Sequence, residues 1–233
     1  MSFYRIKKLG KKASSLSMTE PVRGALDVVL KQDSDNSPCC VYNETVALRL
    51  AQRLGVPLAM GVPSVGDGGM YFASLMVGGL SINLPNISAK KMVQVAERYP
   101  HDAAAIFVFD VWVLNDDREN NLKANLTSSP LHLVAAIDHE QTLLGRYGDM
   151  TESLQALEAL EGPARHPLRD HLEQQHVEQW VARVQSMSDS DINDAVVVGY
   201  SVGGVHQRSQ LRLAKVMKAR RDSLPELVRQ ALS

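Results

Sequence analysis

Three groups of residues along this chain have the types and spacing that chemistry needs. The run NDDRENN at 115–121 gathers carboxylates and amides directly after the apolar stretch 103–114. Polar groups are costly to collect in such a place unless water solvates them or a reaction uses them. About twenty residues later the apolar segment 131–137 ends in Asp138, a second acidic centre. Upstream, the valine- and leucine-rich segment 26–31 ends in Lys31, and Glu44 follows at the start of a helical pattern. Phosphoryl transfer asks a protein for a cation on the nucleotide phosphates, oxygen ligands for magnesium, and a carboxylate that orients the attacking hydroxyl. Lys31, Glu44, Asp117 with Asn121, and Asp138 supply these in that chain order.

These residues need elements to hold them. Segment 26–31, bounded upstream by Gly24, reads as a strand ending in its lysine. Asn43 precedes a run with Val46, Leu50 and Leu54 on one face and Gly55 as the stop, which predicts a helix over 44–54 capped by Asn43. After Gly55 the chain leads into a strand. The glycines around Asp67 make a turn before a second strand at 70–77, and Gly78 with Gly79 suggests a hinge. Helices are expected at 88–98 and 102–114, the second apolar enough to be buried between other elements. Segment 131–137 is a buried strand that delivers Asp138. Beyond Gly148 the pattern is helical, near 151–161, 167–174, 176–186 and 206–221, with no internal repeat.

A length of 233 residues suits one compact unit with two lobes. Hydrophobic residues at 45% and charged residues at 22% are those of a soluble globular protein. No apolar segment approaches the ~20 residues of a membrane span. The basic N-terminus lacks the apolar stretch of a secretory signal, so a cytoplasmic location and no membrane partner are expected. The adjacent Cys39 and Cys40 suit neither a mutual disulfide nor a metal site and are read as reduced and structural. A net charge of −1 offers no argument for direct nucleic-acid binding, although the first 31 residues are locally basic.

The order Lys31, Glu44, Asp117, Asp138 is that of protein kinases. NETVALRLAQRLGVP at 43–57, NDDR at 115–118 and IDH at 137–139 resemble successive signatures of the HipA-like kinases, over roughly residues 28–144. The resemblance implies an α+β, protein-kinase-like bilobal fold within a single domain. A β-rich N-lobe would occupy 1–77 and a mainly helical C-lobe 78–233. It further implies ATP and Mg2+ as cofactors, with Lys31 on the phosphates and paired with Glu44, Asp117 as the catalytic carboxylate, and Asp138 on magnesium. A protein serine or threonine would be the acceptor, and an antitoxin a partner. Such kinases space the catalytic aspartate and the metal-binding asparagine by five residues, whereas Asn121 lies four after Asp117 and five after Asp116. Either aspartate fits one criterion. The Asn-x-Asp-Arg pattern centres on Asp117, with Asn121 or Asn125 reaching the metal.

Other readings stand beside this one. Ser14, Ser15 and Ser17, in a lysine-rich stretch without a kinase glycine loop, offer hydroxyl donors to phosphates or simply form a solvated basic segment. A nucleotide-binding pseudokinase acting as an interaction or toxin–antitoxin module would explain the shortened spacing between Asp117 and Asn121. Gly199-Tyr-Ser201-Val-Gly203 matches a nucleophile elbow and would require Ser201 on a strand-to-helix turn. The remaining chain has too little room for the other triad members, so those glycines are expected to join two helices. The histidines are scattered without metal-ligand spacing and are expected at the surface or as satisfied core residues.

Overall fold

The computed structural model describes residues 6–13, 21–79, 82–127 and 132–233; Ser14, Ser15 and Ser17 lie outside the described residues. Strand β1 (Ile6–Lys12) pairs antiparallel with β2 (Val22–Leu26). The next three strands, β3 (Val28–Lys31), β4 (Gly61–Gly66) and β5 (Gly69–Leu75), form an antiparallel sheet in the order β3-β5-β4. Register places Lys31 opposite Phe72, so the two side chains share a face. Phe72 is buried in the main core, and Lys31 is thereby delivered to the inner side of the sheet.

Helix α1 (Cys40–Leu54) covers that side and begins four residues before the expected Glu44. Asn43 is therefore not its cap. Asp33 Oδ1 accepts from the Val41 amide at 2.9 Å in the first turn, while the Asn43 side chain reaches out of the helix to Glu140 and Leu144. The polar signal at Asn43 was real, but a distant loop uses it. Gly55 ends the helix at φ 76, as expected of a left-handed cap.

A short pair, β6 (Gly78–Gly79) and β7 (Ile82–Asn83), crosses the expected hinge. Segment 88–98 is a 3-10 turn, Ala89–Lys91, running into α2 (Met92–Arg98). Helix α3 (Pro100–Val113) is buried on all sides from Ala103 onward and ends at Leu114, whose φ of 59 turns the chain sharply into the Asn115 loop. Strands β8 (Leu122–Ala124) and β9 (Val134–Ala136) form a hairpin leading to Asp138. Alternation along β9 sends Val134 and Ala136 into the main core. Leu133 and Ala135 join Val77 and Leu84 in a smaller cluster at the hinge, with Ala59 and Ile137 packed against it.

The C-terminal part is helical: α4 (Met150–Glu158), α5 (Gln174–Gln185), α6 (Asp189–Val196), α7 (Gln207–Asp222) and α8 (Leu224–Leu232). The helix expected at 167–174 is only a 3-10 turn, Arg169–His171, in a stretch where Leu168 is buried and most neighbours are exposed polar residues. Too few apolar side chains are there to bury a helix face. Two helices had not been foreseen, α6 and α8. The first is announced by Ser188, which caps it by accepting from the Asp191 amide at 3.1 Å. Among the described residues no helix is long and apolar enough to cross a membrane.

Candidate active site

Three distant segments converge on one lysine. Lys31 Nζ lies 2.6 Å from Glu44 Oε1 and 2.6 Å from Asp138 Oδ1. Glu44 Oε1 also accepts from the His139 amide at 3.0 Å, so the helix carboxylate holds both the lysine and the loop that presents Asp138. Burial pulls the Lys31 pKa down, but the two carboxylates outweigh it and the net shift is upward. The Glu44 pKa is raised, because desolvation exceeds the help it receives from Lys31.

The Asn115 loop is built around a buried arginine. Arg118 donates from Nε and Nη2 to the two oxygens of Asp110, at 2.7 and 2.9 Å, and from Nη1 to the carbonyls of Asn121 and Ile137. The last contact ties this loop to the strand end that bears Asp138. Asp110 is completed by Asn115 Nδ2 at 2.8 Å and by His166 Nε2 at 3.0 Å. Because His166 Nδ1 accepts from the Leu168 amide, its proton sits on Nε2. His139 Nε2 lies 2.9 Å from Arg118 Nη2 and acts as the acceptor. Burial, reinforced by the guanidinium, lowers the His139 pKa to about 3.

Within this frame the two neighbouring aspartates part company. Asp117, whose amide donates to Asn115 Oδ1, receives Asn121 Nδ2 on Oδ2 at 3.0 Å. Its pKa is raised, first by desolvation and then by the charge of Asp138. Asp116 turns elsewhere, accepting from the Ala164 amide at 2.8 Å and ion-pairing with Arg146. Asn121 spends its NH2 on Asp117, which leaves Oδ1 as the atom available to a metal. Asn125 commits its Oδ1 to Thr127 instead. Asn120 and Asp138 both adopt positive φ, 63 and 59, the local strain that functional loops often carry.

No protein-family model matches the sequence, and no curated protein matches it. Among solved structures, the Helicobacter pylori proinflammatory kinase CtkA superposes with a TM-score of 0.60 at 10% identity, covering 88% of this chain and 90% of that one. A chain of the Shewanella oneidensis MR-1 toxin–antitoxin complex of HipA, HipB and operator DNA gives a TM-score of 0.56 at 11% identity, covering 95% of this chain and 67% of that one. The chain has the bilobal HipA-like kinase fold.

The Lys31 cluster sets a cation beside carboxylate oxygens, and the oxygen donors around it have the chemistry that suits magnesium. Among the described residues no group of three or more His, Cys, Asp or Glu could cage a metal ion. Magnesium commonly takes one or two protein oxygens and completes its octahedron with phosphate and water, and Asp138 with Asn121 Oδ1 offers that set. Sequence reasoning passed over Asp110, for which a lone carboxylate inside the apolar run 103–114 was the available signal; His166, expected only as a surface or satisfied core histidine, is a buried one that completes it. Ser201 does lie 3.1 Å from His206 Nδ1, but both are exposed on the loop between α6 and α7. Val196 ends a helix rather than a strand, so the kinase fold has no nucleophile elbow there.

Proposed function

We propose that the chain is an ATP- and magnesium-dependent phosphotransferase of HipA-like type acting on a protein serine or threonine hydroxyl. The observation that carries this reading is Lys31 Nζ at 2.6 Å from both Glu44 and Asp138, three residues brought together from separate elements. Lys31 would neutralise nucleotide phosphates, held in place by Glu44. Asp138 and Asn121 would hold magnesium, whose charge, when bound, stabilises the phosphate oxygens. Asp117 would orient the acceptor hydroxyl and take its proton; Asp116 is already committed to Arg146 and Ala164. The hinge cluster of Val77, Leu84, Leu133 and Ala135 suits the face of a purine, and the division into lobes would fall between Val77 and Gly78. Ser14, Ser15 and Ser17 remain candidates for covering the phosphates. The pairing of HipA with HipB in the Shewanella complex motivates an antitoxin-like protein partner, with a cytoplasmic location.

A second reading, a nucleotide-binding module without turnover, draws support from the direct Lys31–Asp138 ion pair, which occupies the carboxylate meant for metal. Thermal-shift titration with ATP, with and without magnesium, followed by labelled-phosphate transfer to protein, separates the two. Lys31→Met is expected to weaken nucleotide binding, and Asp117→Ala to retain it while losing transfer. Nucleotide binding indifferent to Lys31 would overturn the site; magnesium-dependent binding by a wild type that transfers nothing would favour the second reading.

A further inference from the structure

We infer that Arg146 is a positioning residue for phosphoryl transfer: its ion pair with Asp116 fixes the loop bearing Asp117 against the segment that follows Asp138. The inference rests on the phosphotransferase reading and adds a residue to it. Arg146 is 10% exposed and contacts Asp116 through Nη2 and Glu161 Oε2 through Nη1 at 3.3 Å. Glu161 is in turn held by the Tyr147 hydroxyl at 3.1 Å, and the guanidinium lies 4.9 Å from the Tyr147 ring centroid.

The backbone from which Arg146 projects is itself tightly placed. Asn43 of α1 donates to the Glu140 carbonyl and accepts from the Leu144 amide. A Cβ added at Gly145 would lie 2.3 Å from that carbonyl and 2.5 Å from Asn43 Nδ2, so this approach requires glycine. The Tyr147 amide donates to Ser153 Oγ at 3.2 Å, anchoring the other side. Arg146 is therefore a side chain on a firm base reaching across to a loop.

That loop is gripped twice, from inside by Arg118 on Asp110 and from outside by Arg146 on Asp116. The inner grip sets where the loop lies. The outer grip acts on the residue directly preceding Asp117, whose torsions aim the Asp117 side chain. Asp116, Asp117 and Glu119 fall within four residues of sequence, and loss of the cation paired to Asp116 leaves their mutual repulsion less opposed. Misplacement of a catalytic group by about 1 Å costs on the order of 100-fold in rate.

The test is a double-mutant cycle in the full chain with Arg146→Gln, Asp116→Asn and the pair, with Arg146→Lys as the milder variant. Transfer kinetics, melting temperature and hydrogen exchange of the 115–121 amides are measured in each. Arg146→Gln should lower kcat by about 10- to 100-fold with KM for ATP unchanged and exchange in the loop accelerated. In the Asp116→Asn background it should cost little more, because the pair acts as a unit. Arg146→Lys should recover part of the rate. Unchanged kcat, or losses that multiply fully across the cycle, would overturn the inference. A wild type that transfers no phosphate would refute the phosphotransferase reading itself; loop exchange would still report on Arg146, and exchange unaltered in Arg146→Gln would end its positioning role.

Discussion

Two charged clusters lie side by side in this molecule, and they are built to opposite specifications. Around Asp110, the carboxylate and Arg118 have fully buried side chains, and Asn115 and His166 fill the remaining valences of the carboxylate. Around Lys31, the side chains are 16%, 7% and 31% exposed for Lys31, Glu44 and Asp138. Among the described residues nothing claims the second oxygen of Asp138. Desolvation acts on Asp110 in the one and on Glu44 in the other, but its outcome differs. Burial pushes Asp110 up, yet Arg118 and His166 outweigh it and hold the group well below the usual carboxylate range. Glu44 and the nearby Asp117 end above theirs. A saturated, buried cluster can only hold its neighbours in place. One with an open carboxylate oxygen next to the raised Glu44 and Asp117 has the character that the proposed phosphotransferase site requires.

The sharpest way to break this contrast is to remove one partner from each cluster. Asp110→Ala leaves Arg118 buried without its carboxylate, and such losses cost about 3–5 kcal/mol. Urea unfolding should register it, and an Asp110→Ala variant as stable as wild type would refute the scaffolding role. Asp138→Asn should leave intrinsic stability nearly unchanged, since Lys31 keeps Glu44 and partly exposed ion pairs contribute little. Its expected loss is the extra stability that ligand confers, about 2.7 kcal/mol for ATP and magnesium at a hundred times Kd. If magnesium dependence survives in Asp138→Asn, that carboxylate is not a metal ligand.

A smaller effect sharpens the contrast in acid. The folded pKa of Asp110 is depressed, so its contribution to stability is complete above the unfolded value of about 3.9 and is lost as pH falls through the folded value. Over that window the free energy of unfolding should decline by up to about 1.4 kcal/mol per pH unit from this group. Asp110→Asn should lack that component of the slope. Denaturant titrations at a series of acidic pH values read the difference directly, and an identical slope in the variant would mean that Asp110 is not the group responsible.

The open cluster was more legible from sequence than the closed one, for a physical reason. Lys31, Asp117 and Asp138 follow apolar segments and Glu44 opens a helical pattern, places where a charge stands out, and their order along the chain carries chemical meaning. Asp110 lies within such a segment, and its partners Arg118 and His166 are eight and fifty-six residues away. No local periodicity encodes that closure. The same limit explains Asn43, whose capping chemistry is local in form but serves Glu140 nearly a hundred residues on. Strand β8 was invisible because three residues among amides have no alternation to read. Helices α1 and α3 were legible because burial follows directly from their apolar spacing.

The smallest predicted effect concerns a carboxylate of intermediate character. Asp33 stands two residues beyond Lys31 and accepts from the Val41 amide at the start of the helix that carries Glu44. It also fits closely against the loop joining α6 and α7: a Cβ at Gly203 would lie 1.8 Å from Asp33 Oδ2. Burial raises its pKa while the Val41 hydrogen bond opposes the rise, so the carboxylate is neither fully paid back by partners nor open to solvent. Were it scaffold, Asp33→Ala would cost about 1 kcal/mol through the lost cap. For a chain of this length that is a drop of about 2–4 °C in melting temperature, with ATP affinity unchanged. Asp33→Asn, which keeps an acceptor for Val41, should retain most of that stability. Glu44 lies one helical turn beyond the cap, and its contacts to Lys31 and His139 fix it independently. Thermal melts and ATP titrations of the two variants therefore place Asp33: loss of nucleotide binding at unaltered stability would move it from the scaffold into the Lys31 cluster.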